Sequence, residues 1–461
     1  MSKIVTQEQR LHYMTTESLK KLVIKLAIPT IIANLITSLY NLADTYFVGL
    51  IGSESSTGAV GVIFPFMVLT QAFAFMFGQG SGNYISRELG AGKKIEAEKM
   101  AVTGFFSGII FSIIMMGLGL FFKNDIVRIL GATETITPFA LDYFTYLLPG
   151  IPFLVCGIII NNQMRFQASA IYALIGISSG AIINIVLDPI LIFHFNMGIS
   201  GAALATSISQ IISFIILFLG TKFGGNIQYK IKNLSLNMQT YISMLKGGLP
   251  SLVRQGFGSV GIICLNVAAS GFGDVAVAAM SITSRIIMFI NSIILGFGQG
   301  FQPICGFNYG AKRYDRVYDC FWFCVKVSTI ALLITSVLYY IYAPELISMF
   351  LATSPEVIKI GALSVRIHSV FLPLSSFIIF SNMLLQTLGL TKKASLLAMS
   401  RQGIFLIPTS IVLPTIFGML GVQLAQPISD VCTALLSLPL SLVVLNNLKR
   451  EYINSKSEVS P

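Results

Sequence analysis

Residues 198–210 read GISGAALATSISQ, and residues 418–430, 220 positions later, read GMLGVQLAQPISD. Gly198/Gly418, Gly201/Gly421, Leu204/Leu424, Ala205/Ala425, Ile208/Ile428 and Ser209/Ser429 are identical at that offset. The same spacing joins Phe77-Gly78-Gln79-Gly80 to Phe297-Gly298-Gln299-Gly300, and Gly90-Ala91 to Gly310-Ala311. Ungapped matches at one fixed spacing mark a tandem duplication and should be read before anything else. In an apolar chain, such doubling points to two halves that rock around a central site.

The chain is apolar enough to live in a bilayer: 54% of its residues are hydrophobic and only 11% are charged. Stretches long enough to cross a hydrocarbon core roughly 30 Å thick fall near 22–50, 58–82, 100–122, 139–161, 169–194 and 200–220. A second set falls near 242–271, 276–300, 319–342, 362–388, 395–415 and 420–446. The fold class expected is an all-α membrane protein of twelve transmembrane helices in two six-helix lobes. Six crossings are an even number, so a pseudo-twofold along the membrane normal should relate the lobes. The expected organisation is a segment 1–21, a first lobe 22–220, a linker 221–241, a second lobe 242–446 and a tail 447–461.

Charge supplies the orientation. If the N-terminus is cytoplasmic, the cytoplasmic segments hold 24 of the 30 basic residues, Arg165 and Arg401 counted among them. The outer segments hold Lys123, Arg128, Lys359 and Arg366. Such asymmetry follows the preference of Lys and Arg for the inner side, with both termini cytoplasmic in a multi-pass cell-membrane protein. The formal charge of +11 then reflects topology and attraction to anionic lipid, with no nucleic-acid partner expected. No cleavable signal is expected ahead of the first span, and Thr15 to Lys25 reads as a short amphipathic helix on the cytoplasmic face. The six cysteines have no zinc or disulfide spacing, the three histidines make no metal-ligand spacing, and GxxxxGK[ST] is absent. Neither enzymatic activity, a cofactor nor an obligate protein partner is expected.

Carboxylates inside spans are rare and costly, so each is a functional candidate. Asp44 lies on a polar stripe of Asn34, Thr37, Ser38, Asn41 and Thr45, whose spacing of three and four places them on one helical face. Asn184 and Asp188 are i and i+4 on another span, and Pro29 and Pro189 interrupt the backbone ladder of the two helices. Counting residues from the span ends puts Asp44, Asp188 and Thr206 at one depth, roughly 10 Å below the outer boundary. Two carboxylates, an amide and a hydroxyl at one level form a candidate site for a proton or sodium ion. Asn34, Thr37, Tyr40, Asn41 and Asn161 are the substrate-cavity candidates. The second repeat does not keep this chemistry, having Cys264 and Pro408 where the first has Asp44 and Asp188. Arg285 and Asp430 share a depth there and are expected to form a structural ion pair. Asp274, in a short outer turn after Gly273, reads as a solvated turn residue.

The chain resembles the multidrug and toxic compound extrusion (MATE) family, in its prokaryotic form. The resemblance is carried by Tyr40-Asn-Leu-Ala-Asp44-Thr-Tyr-Phe-Val-Gly49, Gly90-Ala-Gly92-Lys93, Asn184 through Pro189, Gly198-x-x-Gly201-Ala-Ala-x-Ala-Thr206, Gln299-Gly300 and Asn308-Tyr-Gly-Ala311. It implies an antiporter that exports organic cations in exchange for H+ or Na+, with the cation-site residues falling on Asp44, Asn184, Asp188 and Thr206. Another branch of the family carries acids in its seventh and tenth helices, where this chain has Gln255 and Asn382. Two rivals stand beside this reading. A lipid-linked precursor flippase would need several intramembrane cations, whereas only Arg254 and Arg285 are placed within spans. A major-facilitator solute carrier would need a basic motif where this chain has Arg87-Glu-Leu-Gly-Ala-Gly-Lys93.

Overall fold

The structure, a computed structural model, describes residues 7–350 and 354–457; Lys3 and the last four residues of the expected tail lie outside them. The first half comprises α1 (Gln7–Thr16), α2 (Leu19–Gly49), α3 (Glu54–Gly90), α4 (Lys94–Phe121), α5 (Lys123–Ile129), α6 (Thr137–Leu147), α7 (Ile151–Phe166), α8 (Ala170–Pro189) and α9 (Gly198–Gly220). The second comprises α10 (Met238–Ser270), α11 (Asp274–Gly310), α12 (Tyr314–Ile341), α13 (Ala343–Ser348), α14 (Pro355–Phe371), α15 (Leu374–Thr387), α16 (Thr391–Met399), α17 (Leu406–Phe417) and α18 (Met419–Ser457). No strand occurs among the described residues. Eleven segments are long and apolar enough to span, and α14 with α15, bent by 57°, supply a twelfth crossing. The α6–α7 crossing contains a tight 3-10 turn over Leu148–Gly150, and wider π turns sit at Ile190–His194 and Ser400–Ile404.

The identical glycines of the two repeats have physical causes. Gly198 and Gly418 adopt left-handed φ angles of 54° and 59°, where a Cβ would be strained. Three residues on, a Cβ on Gly201 would come within 2.8 Å of the Leu191 backbone, and one on Gly421 within 2.1 Å of the Leu413 carbonyl. Each repeat therefore packs the end of one span directly against the start of the next. Side-chain caps open several helices: Ser53 accepts from Ser56 N at 3.2 Å, and Asn237 accepts from Gln239 N at 2.9 Å.

The lobes meet through backbone-to-backbone contacts that repeat at the same offset. A Cβ on Gly90 would meet the Phe307 carbonyl at 2.2 Å, and one on Gly310 would meet the Arg87 carbonyl at 2.0 Å. Gly80 and Gly248 seat α3 on α10 in this way, and Gly296 and Gly300 seat α2 on α11. Small residues permit this approach between membrane helices. All these contacts lie toward the linker face, the end of the bundle that carries the α9–α10 connection. Toward the opposite face the lobes diverge: Gly61, Gly256 and Gly258 have nothing within reach of a Cβ. In its far half α10 buries Gly261, Leu265 and Ala269, which form a single stripe. A cleft therefore opens between the lobes away from the linker.

Two expectations shift. Helices α3 and α11 continue to Gly90 and Gly310, past the ends expected near 82 and 300. The amphipathic helix expected over Thr15 to Lys25 lies at Gln7–Thr16 instead, because Glu17 and Ser18 break the chain: the Glu17 carboxylate accepts from Ser18 N at 2.9 Å. Helix α1 spans the closed face. Its buried Arg10 donates to the Gly224 carbonyl and to Asn226, while its Met14 carbonyl accepts from Asn308 of the second lobe. Burial pushes the Arg10 guanidinium down to about 10.

Candidate cation and substrate site

Helix α8 presents Asn184 and Asp188, both fully buried, on the face turned to α2 and α9. Pro189 ends α8, since it has no N–H for the ladder, and the π turn at Ile190–His194 follows. From α9, Thr206 accepts the Asn184 side-chain amide at 3.4 Å. Tyr40 of α2 lies within reach of Thr206, and Asp44 lies close enough for its charge to act on Asp188. Asp44, Asp188 and Thr206, which shared a depth in the sequence, thus form one cluster with Asn184 within the first lobe. Pro29 lies inside α2, which continues past it as one helix although Pro29 itself supplies no N–H to the ladder.

The cluster holds polar atoms with nothing to bond. Asp44 Oδ1, Asn184 Oδ1 and both carboxylate oxygens of Asp188 are buried without a hydrogen-bond partner. A buried acceptor left unpaired is costly, and a buried unpaired carboxylate more so. A proton on a carboxylate, or a hard cation ringed by oxygens, would remove that cost. Among the described residues no three His, Cys, Asp or Glu side chains converge as metal ligands.

The α2 stripe divides along its length. Near the level where the lobes part, Asn34 donates to the Ser292 carbonyl at 3.2 Å and to Gln299 at 3.4 Å, and Ser38 meets Ser292 at 3.0 Å. Thr37 bonds back to the Ala33 carbonyl at 2.9 Å. Further out, Tyr40 is half-buried and Asn41 and Thr45 are exposed. Asn161 is not brought to the cleft: buried inside the first lobe, it donates to the Ala173 carbonyl at 3.0 Å.

The expected Arg285–Asp430 pair does not form. Asp430 is held by Arg401, with Nε to Oδ1 at 2.8 Å and the second guanidinium nitrogen to Oδ2 at 3.2 Å. Arg401 also donates to Ser375, and Gln426 donates to Asp430 at 2.9 Å. Arg285 sits on an exposed face of α11. Depth alone paired the wrong arginine because Arg401 had been counted with the loops. It sits in the π turn at Ser400–Ile404, inside the crossing Thr391–Phe417. The signal was present, since the apolar stretch 395–415 already enclosed it. Arg165, likewise assigned to a loop, occupies the last turn of α7 and is buried.

Two six-span lobes, a cleft open on one face and unpartnered carboxylates in one lobe define a multi-pass membrane transporter. The MatE family profile matches twice, at residues 29–190 and 250–412, and the chain belongs to that family. The multidrug export protein MepA of Staphylococcus haemolyticus is 25% identical over 434 residues, covering 94% of this chain and 95% of the relative. MepA of Staphylococcus aureus is 25% identical over 433 residues, covering 93% and 95%. Among solved structures, the outward-facing conformation of a multidrug resistance MATE family transporter of the MOP superfamily superposes with a TM-score of 0.90. That structure is 25% identical, with 98% of this chain and 99% of the other covered.

Proposed function

We propose that this chain is a multidrug efflux antiporter that exports lipophilic organic cations in exchange for H+ or Na+ by rocking of its two lobes. The termini and the linker face the cytoplasm, and the cleft opens outward. The observation that carries the reading is the set of unpartnered oxygens on Asp44, Asn184 and Asp188 beside Thr206. An ion entering from outside satisfies them and neutralises the charge that attracts a cationic compound. Ion and drug then disfavour each other, and one cleft exchanges them. The export activity of the MepA relatives and the basic-residue asymmetry support the direction of transport. The test is efflux of a fluorescent cationic dye from vesicles, driven separately by proton and sodium gradients. Asp44→Asn and Asp188→Asn should each stop efflux under the effective gradient while still inserting. Wild-type rates in both variants would move the coupling site elsewhere.

A further inference from the structure

The seam between the lobes carries a second unusual pair of charges, of the opposite sign to the carboxylate cluster. Arg165 is only 5% exposed, its Nε has no partner, and its guanidinium donates to Asn162. Asn162 also accepts from Gln79 at 2.9 Å, and Gln79 precedes Gly80, where α3 touches the backbone of α10. Across that seam, halfway along α10, Arg254 donates to Asn382 at 3.3 Å. Asn162 and Asn382 are separated by the repeat offset, so each lobe uses the same asparagine to hold an arginine by its side-chain oxygen. The two guanidiniums lie close enough to repel each other. Among the described residues neither forms an ion pair with a carboxylate. Arg254, which the sequence placed within a span, is therefore one of two arginines at the seam without a counter-charge.

A buried guanidinium and a half-buried one held near each other without a counter-charge are unfavourable twice over, through desolvation and through repulsion. The missing partner is an anion, and the fork geometry of guanidinium suits an oxyanion. We infer that Arg165 and Arg254 form a site between the lobes for the acidic group, carboxylate or phosphate, of an exported compound. The pseudo-equivalent of Arg254 is Asn34, which closes the lobes at the base of the cleft. The site therefore lies at the cleft floor, and the Asp44/Asp188 cluster lies in the wall above it. Acid-bearing amphiphiles, zwitterions among them, join the substrate range, with the anionic end toward the arginines and the cationic end toward the carboxylates. This inference rests on the export reading above, and its test separates the two.

The probes are a xanthene dye with a free benzoate and its methyl ester, which share one cationic ring system, bound to purified full-length protein in non-ionic detergent. Arg254→Gln should lower affinity for the benzoate dye relative to the ester by roughly tenfold, as loss of a charged hydrogen bond does. Arg254→Lys should restore much of the preference. Arg285→Gln, which removes an exposed charge elsewhere, should leave it intact. Arg165→Lys should shift the preference less than Arg165→Gln, with ester binding reporting that each variant is folded. Equal losses for both dyes in Arg254→Gln would overturn the site. Displacement of the benzoate dye by phosphatidylglycerol micelles but not by inorganic phosphate would assign the site to lipid and overturn the exported compound as the source. Gradient-driven efflux of the ester by wild-type protein tests the antiport independently.

Discussion

Each lobe buries acidic chemistry in its membrane region, and the two lobes finish it differently. In the first, Asp188 has neither oxygen bonded and Asp44 leaves one buried oxygen unpaired. In the second, Asp430 takes two bonds from Arg401 and a third from Gln426. The comparison is close because Gln426 stands at the repeat offset from Thr206, the hydroxyl of the first lobe's cluster. A tethered guanidinium supplies in one lobe the positive charge that, on the proposed exchange, the other would take from solution. One scaffold therefore yields a lobe with unpartnered carboxylates and a lobe that is internally neutralised.

The largest expected effect breaks this comparison at its acids. Asp188→Asn should reduce gradient-driven efflux to the background of empty vesicles. Asp430→Asn should leave efflux coupled in the fraction that folds, but thermal melting in detergent should show a stability loss of about 3–5 kcal/mol, because Arg401 is left charged and unpaired. Replacing Arg401 and Asp430 together with leucine should cost much less than either single change. Additive losses in that cycle would show that the pair does not act as a unit. Uncoupled efflux from Asp430→Asn would place ion chemistry in both lobes and erase the contrast.

The next effect concerns the seam the lobes share. A Cβ on Gly80 would come within 2.1 Å of the Met244 carbonyl, whereas one on Gly256 meets nothing. Overpacking of this kind costs about 1–3 kcal/mol and falls only on the state in which the linker face is closed. Gly80→Val should lengthen the distance between spin labels at Lys94 and Lys312, both exposed and on opposite lobes at that face. Gly256→Val should not. A matching shift from both variants would mean that the seam does not gate the face.

How much of this was legible beforehand depended on whether the signal was local. The duplication, the twelve crossings and the four-residue cluster rest on spacing and helical facing, which a sequence carries directly. Arg401 was missed because a charge within an apolar stretch was read as a boundary, although its partner lies on another helix 29 residues on. The Arg165–Arg254 apposition rests on how α3 seats on α10, which no spacing within one repeat encodes. Asn161 stood among the cavity candidates, yet the Ala173 carbonyl takes its amide. Tertiary packing decided each of these.

The smallest effect sharpens the comparison at the two π turns. In the first lobe the turn at Ile190–His194 follows Pro189 directly and begins two residues beyond Asp188, whose oxygens are free. In the second lobe the turn at Ser400–Ile404 contains Arg401, which is fastened to α18 through Asp430 and to α15 through Ser375. A wide turn can relax toward regular helix only if its side chains are free to move. On the proposed exchange, the first turn should therefore adjust when an ion satisfies Asp188, and the second should not. Pro189→Ala restores a backbone donor and favours the regular helix, biasing the first lobe toward one arrangement. Efflux should slow by roughly two- to fivefold, the effect of a barrier change near 1 kcal/mol, while equilibrium dye binding changes little. Pro408, the residue at the repeat offset from Asp188, is exposed on α17 beyond the pinned turn, so Pro408→Ala should leave the rate unchanged. Equal slowing by both substitutions would mean that the turns move alike and that the Arg401–Asp430 pair does not hold its lobe rigid.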